Sequence, residues 1–337
     1  MELKHAKLIV NHPPEKHAFA SPSKLESLAL CPYMARNCQG REEAPSPAAE
    51  RGRMLHEAVV NDKIYDGLSL ADRAEVDYLR EDILSFDVEG YTVEFEVLVN
   101  IKDDSTNEVV SFGTCDIIVH KDDWTEALVI DNKTGKWMVA EAKNNRQLYG
   151  YALGLFQEHP ELQRVGLQIK QFSHAGENDG IATYTRKEYG RLYEEVIPII
   201  ITANEATEAD ANPGTDACKF CWQENCKAYM DSVKEGFSLA EYQIPDLPLP
   251  EKAKVCNEVL NKCAATQTFL KRIEAVAKAV ILENGGSEDY AVTKARSSKT
   301  TNWKAVAQEC GIPAEVIDKH TVTKVSEPYV VRKGGKR

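Results

Sequence analysis

The spacing of apolar positions changes period several times along the chain. In residues 91–99, Val93, Phe95, Val97 and Val99 occupy every second position, with Glu94, Glu96 and Leu98 between them. Strand side chains alternate between two faces, so this run predicts a strand with one apolar face. Residues 112–120 and 126–131 predict two more strands. The polar Lys121-Asp122-Asp123 between them predicts a hairpin. Residues 165–172 and 182–185 predict a further strand and a short partner. Helical spacing begins near Ser21-Pro22-Ser23, with Ser21 as cap and Pro22 in the first turn. It recurs over residues 47–62, 71–84, 144–158 and 188–208, with a kink expected at Pro198. Residues 251–284 predict one long helix with an apolar stripe. Residues 1–20 read as a loose leader, and Pro245, Pro248 and Pro250 as a linker. The expected organisation is therefore a leader, a main domain over 21–240, and a helical extension with a small α/β tail over 241–337.

Composition narrows the class. With 43% hydrophobic and 28% charged residues, the chain is globular rather than disordered. No run approaches the roughly 18 apolar residues of a membrane span. The N-terminus shows no apolar signal core, so no membrane is expected and the expected location is cytoplasmic. A formal charge of −12 argues against broad coating of nucleic acid. It leaves room for a local groove in which clustered carboxylates hold metal. The tail from Gly286 reverses the sign, with ten lysines and arginines against six acids. Lys294, Arg296, Lys299 and Lys304 surround Trp303 there, and basic residues beside an aromatic suit a phosphate backbone with a stacked base. A solvated basic surface accounts for the same residues.

The chemistry concentrates in Gly113-Thr114-Cys115-Asp116 and Asp131-Asn132-Lys133-Thr134-Gly135. If the second strand persists, Asp131 and Lys133 share a face, Asn132 points away with its carbonyl near the site, and Asp116 comes alongside across the hairpin. Two adjacent carboxylates repel unless a proton or cation lies between them. Oxygen ligands of this kind favour Mg²⁺ or Mn²⁺, and a lysine beside them can orient water or hold a phosphoryl oxygen. An isolated Asp-x-Lys is otherwise a common solvated tripeptide.

The order Arg51-Gly52…His56, Gly113-Thr114-Cys115-Asp116, Asp131-Asn132-Lys133-Thr134-Gly135 and Gln147…Tyr151-Ala152 resembles the RecB-like branch of the PD-(D/E)XK nucleases, of the stand-alone type carried by phages and prophages. The resemblance covers roughly residues 20–230. It implies a restriction-endonuclease-like α/β fold, a mixed sheet flanked by helices with a helical C-terminal extension. It implies that His56, Asp116, Asp131 and Asn132 hold the metal. Asp116, Asp131, Lys133, Gln147 and Tyr151 would then serve catalysis, the last two by facing the site and touching the DNA backbone or Lys133. Glu96 fits either a supporting acid or a surface charge.

Nine cysteines in a chain with no secretory signal point to metal, cluster or buried thiols before disulfides. Cys218-x-x-Cys221, four residues, then Cys226 gives three thiols, and Cys31 is the candidate fourth. Long spacing of this kind suits a cubane cluster, and zinc is the alternative. The layout resembles the iron–sulfur members of the same nuclease group, AddB-type helicase–nucleases and the small nucleases of CRISPR adaptation. It implies a 4Fe–4S cluster tying the N-terminal helix to the end of the domain. Cys38, Cys115, Cys256, Cys263 and Cys310 lack such spacing and read as buried small residues.

The expected activity is metal-dependent hydrolysis of DNA, as an exonuclease on linear single- or double-stranded ends in phage-type recombination, replication or repair. The expected location is then the bacterial host's cytoplasm, and a single-strand-binding or annealing recombination protein is the expected partner. The alternative is an inactive nucleic-acid-binding or zinc-stapled adaptor that keeps the fold.

Overall fold

The computed structural model describes residues 3–12, 18–37, 47–135, 138–177, 179–214, 217–218, 221, 226–238, 248–285, 290–292, 296–301, 321–326 and 330–332. The chain divides into two compact units, Met1–Ser232 and Val233–Arg337. The first is α/β. Its six strands are β1 (Lys7–Val10), β2 (Tyr91–Asp103), β3 (Glu108–Lys121), β4 (Glu126–Asn132), β5 (Arg164–Lys170) and β6 (Ala182–Thr185). They lie in chain order in one mixed sheet. β1 runs parallel to β2 and β4 parallel to β5, while the other neighbours are antiparallel. β3 and β4 form the expected hairpin. At its turn Trp124, at φ 55°, is stacked between the rings of His120 and His159.

Helices cover both faces of the sheet. On one face lie α1 (Leu25–Leu30), α6 (Arg146–Glu158) and α7 (Tyr189–Glu205). Leu25, Leu148, Phe156, Val196 and Ile200 pack there against Val99, Ile118, Val129 and Leu167. On the other face lie α3 (Pro47–Val60) and α5 (Leu70–Leu84), with Leu55, Val59, Val76, Leu79 and Ile83 against Phe95, Ile117, Val119 and Ile130. The short helices α2 (Met34–Asn37) and α4 (Asp62–Gly67) complete the N-terminal part. β4 sits mid-sheet with both faces covered, so Ala127 through Asn132 are all buried. That explains its unbroken apolar run. α7 continues through Pro198 without interruption, and α8 (Lys227–Ser238) follows.

Two expectations change. The first 20 residues are not simply a leader, because Lys7–Val10 adds an edge strand to the sheet. Asp87 secures it, accepting the backbone N–H groups of Lys4 at 2.9 Å, His5 at 2.7 Å and Ala6 at 3.0 Å. These bonds, led by Lys4 and then Ala6, pull the carboxyl down to about 2. A depressed carboxyl contributes stability above its unfolded value near 3.8 and loses it as pH falls through about 2. Asp87→Asn is expected to remove exchange protection from the amides of Lys4–Ala6 at neutral pH. Wild-type protection in that variant, read by hydrogen exchange, would show that β1 is held without Asp87.

The second change concerns β2. Val93 and Phe95 pack under α3 and α5, whereas Val97 and Val99 pack on the α6 side. Their alternation looks continuous in sequence, but the strand turns over at Glu96, whose φ is +54°. β3 turns over with it, since Cys115 and Ile117 also lie on opposite faces.

In the second unit, α9 (Leu249–Glu283) is the long helix. β7 (Tyr290–Val292) pairs with β10 (Val330–Arg332), and β8 (Arg296–Thr301) with β9 (Thr321–Ser326). The proline linker before Pro248, and Lys294, Trp303 and Lys304, lie outside the described residues, as do Cys38 and Cys310. Among the described residues, no helix is long and apolar enough to cross a membrane.

Candidate metal centre

Phe95 pairs with Ile117 and Val97 with Cys115, so Glu96 and Asp116 face each other across the β2–β3 ribbon. Both strands turn over at this point, which brings the two carboxylates together at the α3 side. A left-handed φ on glutamate costs of the order of 1–3 kcal/mol, offset by the surrounding sheet. His56 enters from α3, with Nδ1 3.6 Å from Asp116 Oδ1. One ligand atom from each of His56, Glu96 and Asp116 falls within 4.8 Å of the other two. Burial, then the charge of Asp116, raises the Glu96 carboxyl above its ordinary range, and His56 opposes this. A cation between the groups would relieve both causes. Two carboxylates and one imidazole form the kind of donor set that takes Mg²⁺ or Mn²⁺.

Asp131 and Lys133 form a second group, joined to the first through the backbone. The Asn132 N–H donates to Asp116 Oδ2 at 2.7 Å. The sequence points to the Asn132 carbonyl as a ligand, but the observed contact with the group is this amide. Its side-chain Oδ1 is buried without a hydrogen-bond partner among the described residues. Asp131 is 2% exposed. Its Oδ1 accepts from Gln147 Nε2 at 2.8 Å, and its Oδ2 lies 2.8 Å from Lys133 Nζ. The latter is an ion pair without hydrogen-bond alignment. Asp131 is therefore not one of the three converging ligand groups; Glu96 takes that place. Burial pushes the Asp131 carboxyl up to about 6; Lys133 draws it back and Asp116 adds to the rise. For Lys133 burial is again the largest influence, acting downward. The attraction of Asp131 and Asp116 outweighs it, so the ammonium titrates above its ordinary value.

α6 supplies the support. Gln147 Oε1 accepts from Lys133 Nζ at 3.0 Å, so this one amide holds both members of the ion pair. Tyr151, one turn on, faces the site through Gln147, whose Nε2 donates to the Tyr151 hydroxyl at 3.4 Å, and not through Lys133, to which it has no hydrogen bond among the described residues. It is 2% exposed, and its hydroxyl donates to the Thr114 carbonyl at 2.6 Å. This fixes β3 next to Asp116.

The motif glycines are close-packing positions. A Cβ on Gly52 would lie 2.9 Å from Thr134 Oγ1, and one on Gly113 would lie 2.8 Å from Pro22 Cδ. Gly52 thus lets α3 approach the Asn132–Gly135 loop. Arg51 anchors the same helix to α5 through Asp72 at 2.8 Å and Glu75 at 2.6 Å. The Gly135 carbonyl is held by Gln171 Nε2 at 2.7 Å and Ser173 Oγ at 2.9 Å. A cavity of about 1050 Å³ opens over this floor, bounded by the end of β1, α3, the start of α4 and residues 132–135.

The cysteines sit elsewhere in the same unit. Cys31, Cys218 and Cys226 are buried and Cys221 is half-buried. Cys31 and Ala217 belong to one apolar cluster, with Cys221 packed against it. The Cys31 Sγ accepts the Asn212 N–H at 3.3 Å, and the Asn212 side chain donates to the Leu30 carbonyl at 2.9 Å. The end of α1 and the segment before Cys218 are therefore in contact. Soft thiolate donors suit a cluster or zinc. Cys115 is a fully buried thiol and Cys256 and Cys263 are half-buried on α9.

The family described as "Protein of unknown function (DUF2800)" matches residues 60–325, and the chain belongs to it. The matched span contains Glu96, Asp116, Asp131, Lys133, Gln147 and the late cysteines; His56 and Cys31 precede it. No curated protein matches the chain.

Proposed function

We propose that this family member is a metal-dependent deoxyribonuclease of the PD-(D/E)XK type that hydrolyses phosphodiester bonds at DNA ends. One observation carries the reading. His56, Glu96 and Asp116 converge at one point, and Lys133, held by Asp131 and Gln147, stands beside them. A divalent ion bound by the three groups would lower the pKa of a water and offset charge on a phosphoryl oxygen. Lys133 has three N–H donors; Gln147 engages one and Asp131 holds the ammonium by charge alone, which leaves donors for the attacking water or a non-bridging oxygen. Gln147 keeps the ammonium aimed while the water oxygen bonds to phosphorus and the P–O bond to the leaving nucleotide breaks. Asn132, through its N–H, keeps Asp116 turned toward the ligand point.

The test is degradation of end-labelled single- and double-stranded DNA with Mg²⁺, Mn²⁺ or chelator. Hydrolysis that requires the divalent ion is expected. Metal binding by calorimetry without hydrolysis of any DNA would overturn the reading in favour of a non-cutting binding module.

The same proposal includes a 4Fe–4S cluster on Cys31, Cys218, Cys221 and Cys226. The contact between Cys31 and Asn212 and the burial of the thiols support it. Each Cys→Ser change is expected to bleach the brown colour of anaerobically purified protein. Each should also lower its melting temperature, because binding energy at a structural metal site is folding energy. Stoichiometric zinc with no iron would reverse the assignment.

A further inference from the structure

The cavity over the metal centre has a rim that the catalytic groups do not use. Arg53 lies on α3 one turn before His56, and residues three apart share a helix face. Lys63 lies in the first turn of α4. His12 follows Asn11, whose N–H donates to the Phe95 carbonyl at 3.0 Å, next to Glu96. All three residues line the same cavity and are exposed. None of their side chains has an acidic partner among the described residues. Four other guanidinium groups of this unit are engaged by acids: Arg51 by Asp72 and Glu75, Arg80 by Asp62, Arg146 by Glu26, Arg164 by Glu126. The same lining carries two exposed acids, Asp62, paired with Arg80 at 2.7 Å, and Glu57. Two cations and an imidazole without an acidic partner among the described residues thus face one exposed acid that no cation neutralises there, a local anion site in a chain of net charge −12.

We infer that Arg53, Lys63 and His12 form a phosphate-binding rim that holds the nucleic-acid backbone beside the scissile bond. The inference rests on the nuclease reading and extends it to how the strand is gripped. The carboxylates at the cavity floor repel a phosphodiester, so an anionic strand needs opposing charge at the entrance. Arg53 brings that charge within about one helical turn, ~5 Å along the axis, of His56.

The probe is fluorescein-labelled oligothymidylate, with anisotropy measured over a potassium chloride series and Ca²⁺ in place of Mg²⁺. Each phosphate contact on a single strand contributes about 0.7 to the slope of log affinity against log salt. Arg53→Gln and Lys63→Gln are each expected to reduce the slope by about that amount and the double variant by more. Low-salt affinity should fall severalfold, equally for thymidylate and mixed sequences. Arg53→Lys should keep the wild-type slope. Arg164→Gln, which removes a cation at the opposite end of β4 and β5, should also keep it. Wild-type slopes in the double variant, an equal loss in Arg164→Gln, or no salt-dependent binding by the wild-type chain would each overturn the rim. Binding in Ca²⁺ is read without turnover. Expected slopes with no hydrolysis in Mg²⁺ or Mn²⁺ would remove the nuclease reading alone, and hydrolysis with unchanged slopes would remove the rim alone.

Discussion

Asp131→Asn is expected to lower metal-dependent hydrolysis by about two orders of magnitude or more, as loss of a major preorganised electrostatic group does, while the protein stays folded. Two effects on stability offset one another. Burial is what lifts the Asp131 carboxyl to about 6, and a neutral amide avoids that desolvation. Against this, Lys133 loses the ion pair that keeps it charged in a half-buried place, and unpairing a partly buried charge is costly. The shape of the side chain is unchanged, and its Oδ1 can still accept from Gln147. The larger loss falls on function, because Lys133 is no longer drawn to the metal side. Glu96→Gln should behave differently, raising the metal concentration needed for half-maximal rate, since it removes one of three converging ligand groups. The checks are turnover at saturating metal and a metal titration of both variants. Wild-type turnover by folded Asp131→Asn would take the Asp131–Lys133 pair out of the reaction.

Local pattern carried part of this architecture. The hairpin of β3 and β4 was readable from two apolar runs around Lys121-Asp122-Asp123, and Asp131 and Lys133 share a face as strand alternation requires. Gln147 follows from its place in the first turn of α6, where it meets both. The place of Glu96 beside His56 and Asp116 was not readable in the same way. Alternation from Val93 to Val99 is unbroken in sequence, and only the φ of +54° at Glu96 shows that the strand turns over there. Glutamate is not among the residue types enriched at positive φ, so the residue itself does not announce the conformation. The edge strand at Lys7–Val10 was missed because four residues beside prolines carry little periodicity; its pairing with β2 and its tether to Asp87 are tertiary. Gly52 and Gly113 could be seen as motif residues, but that they admit Thr134 and Pro22 is a matter of distance between elements far apart in the chain. Tyr151 shows the same limit from the other side: its spacing from Gln147 gave the correct helix face, and its burial decided that it holds Thr114.

The placement of Gln147 depends on how closely α6 lies on the sheet, and Gly154 sets that distance. A Cβ there would be 2.4 Å from Val99 Cγ1 and 2.5 Å from the Asn100 carbonyl oxygen. Glycine inside a helix is less favourable than alanine by about 1 kcal/mol, so Gly154→Ala would stabilise α6 were there space. Overpacking costs about 1–3 kcal/mol, sometimes more. Here part of the obstacle is backbone of β2, which cannot rotate away, so the upper end applies. A net loss of about 2 kcal/mol is expected after the helix gain is subtracted. For a unit of this size that lowers the melting temperature by roughly 4–8 °C. Gly150→Ala is the control. Its neighbours, at 3.3–3.4 Å, are side-chain atoms of Ile101, Pro22 and Leu25, two of them free ends that can shift slightly, so its loss should be smaller. Because α6 must move outward to accept a methyl group at position 154, Gln147 two turns away is drawn off Lys133, and activity should fall at temperatures where the variant is fully folded. Calorimetry and turnover on both alanine variants check this, and a Gly154→Ala protein as stable and active as wild type would mean that α6 rests on β2 less tightly than Val99 and Asn100 require.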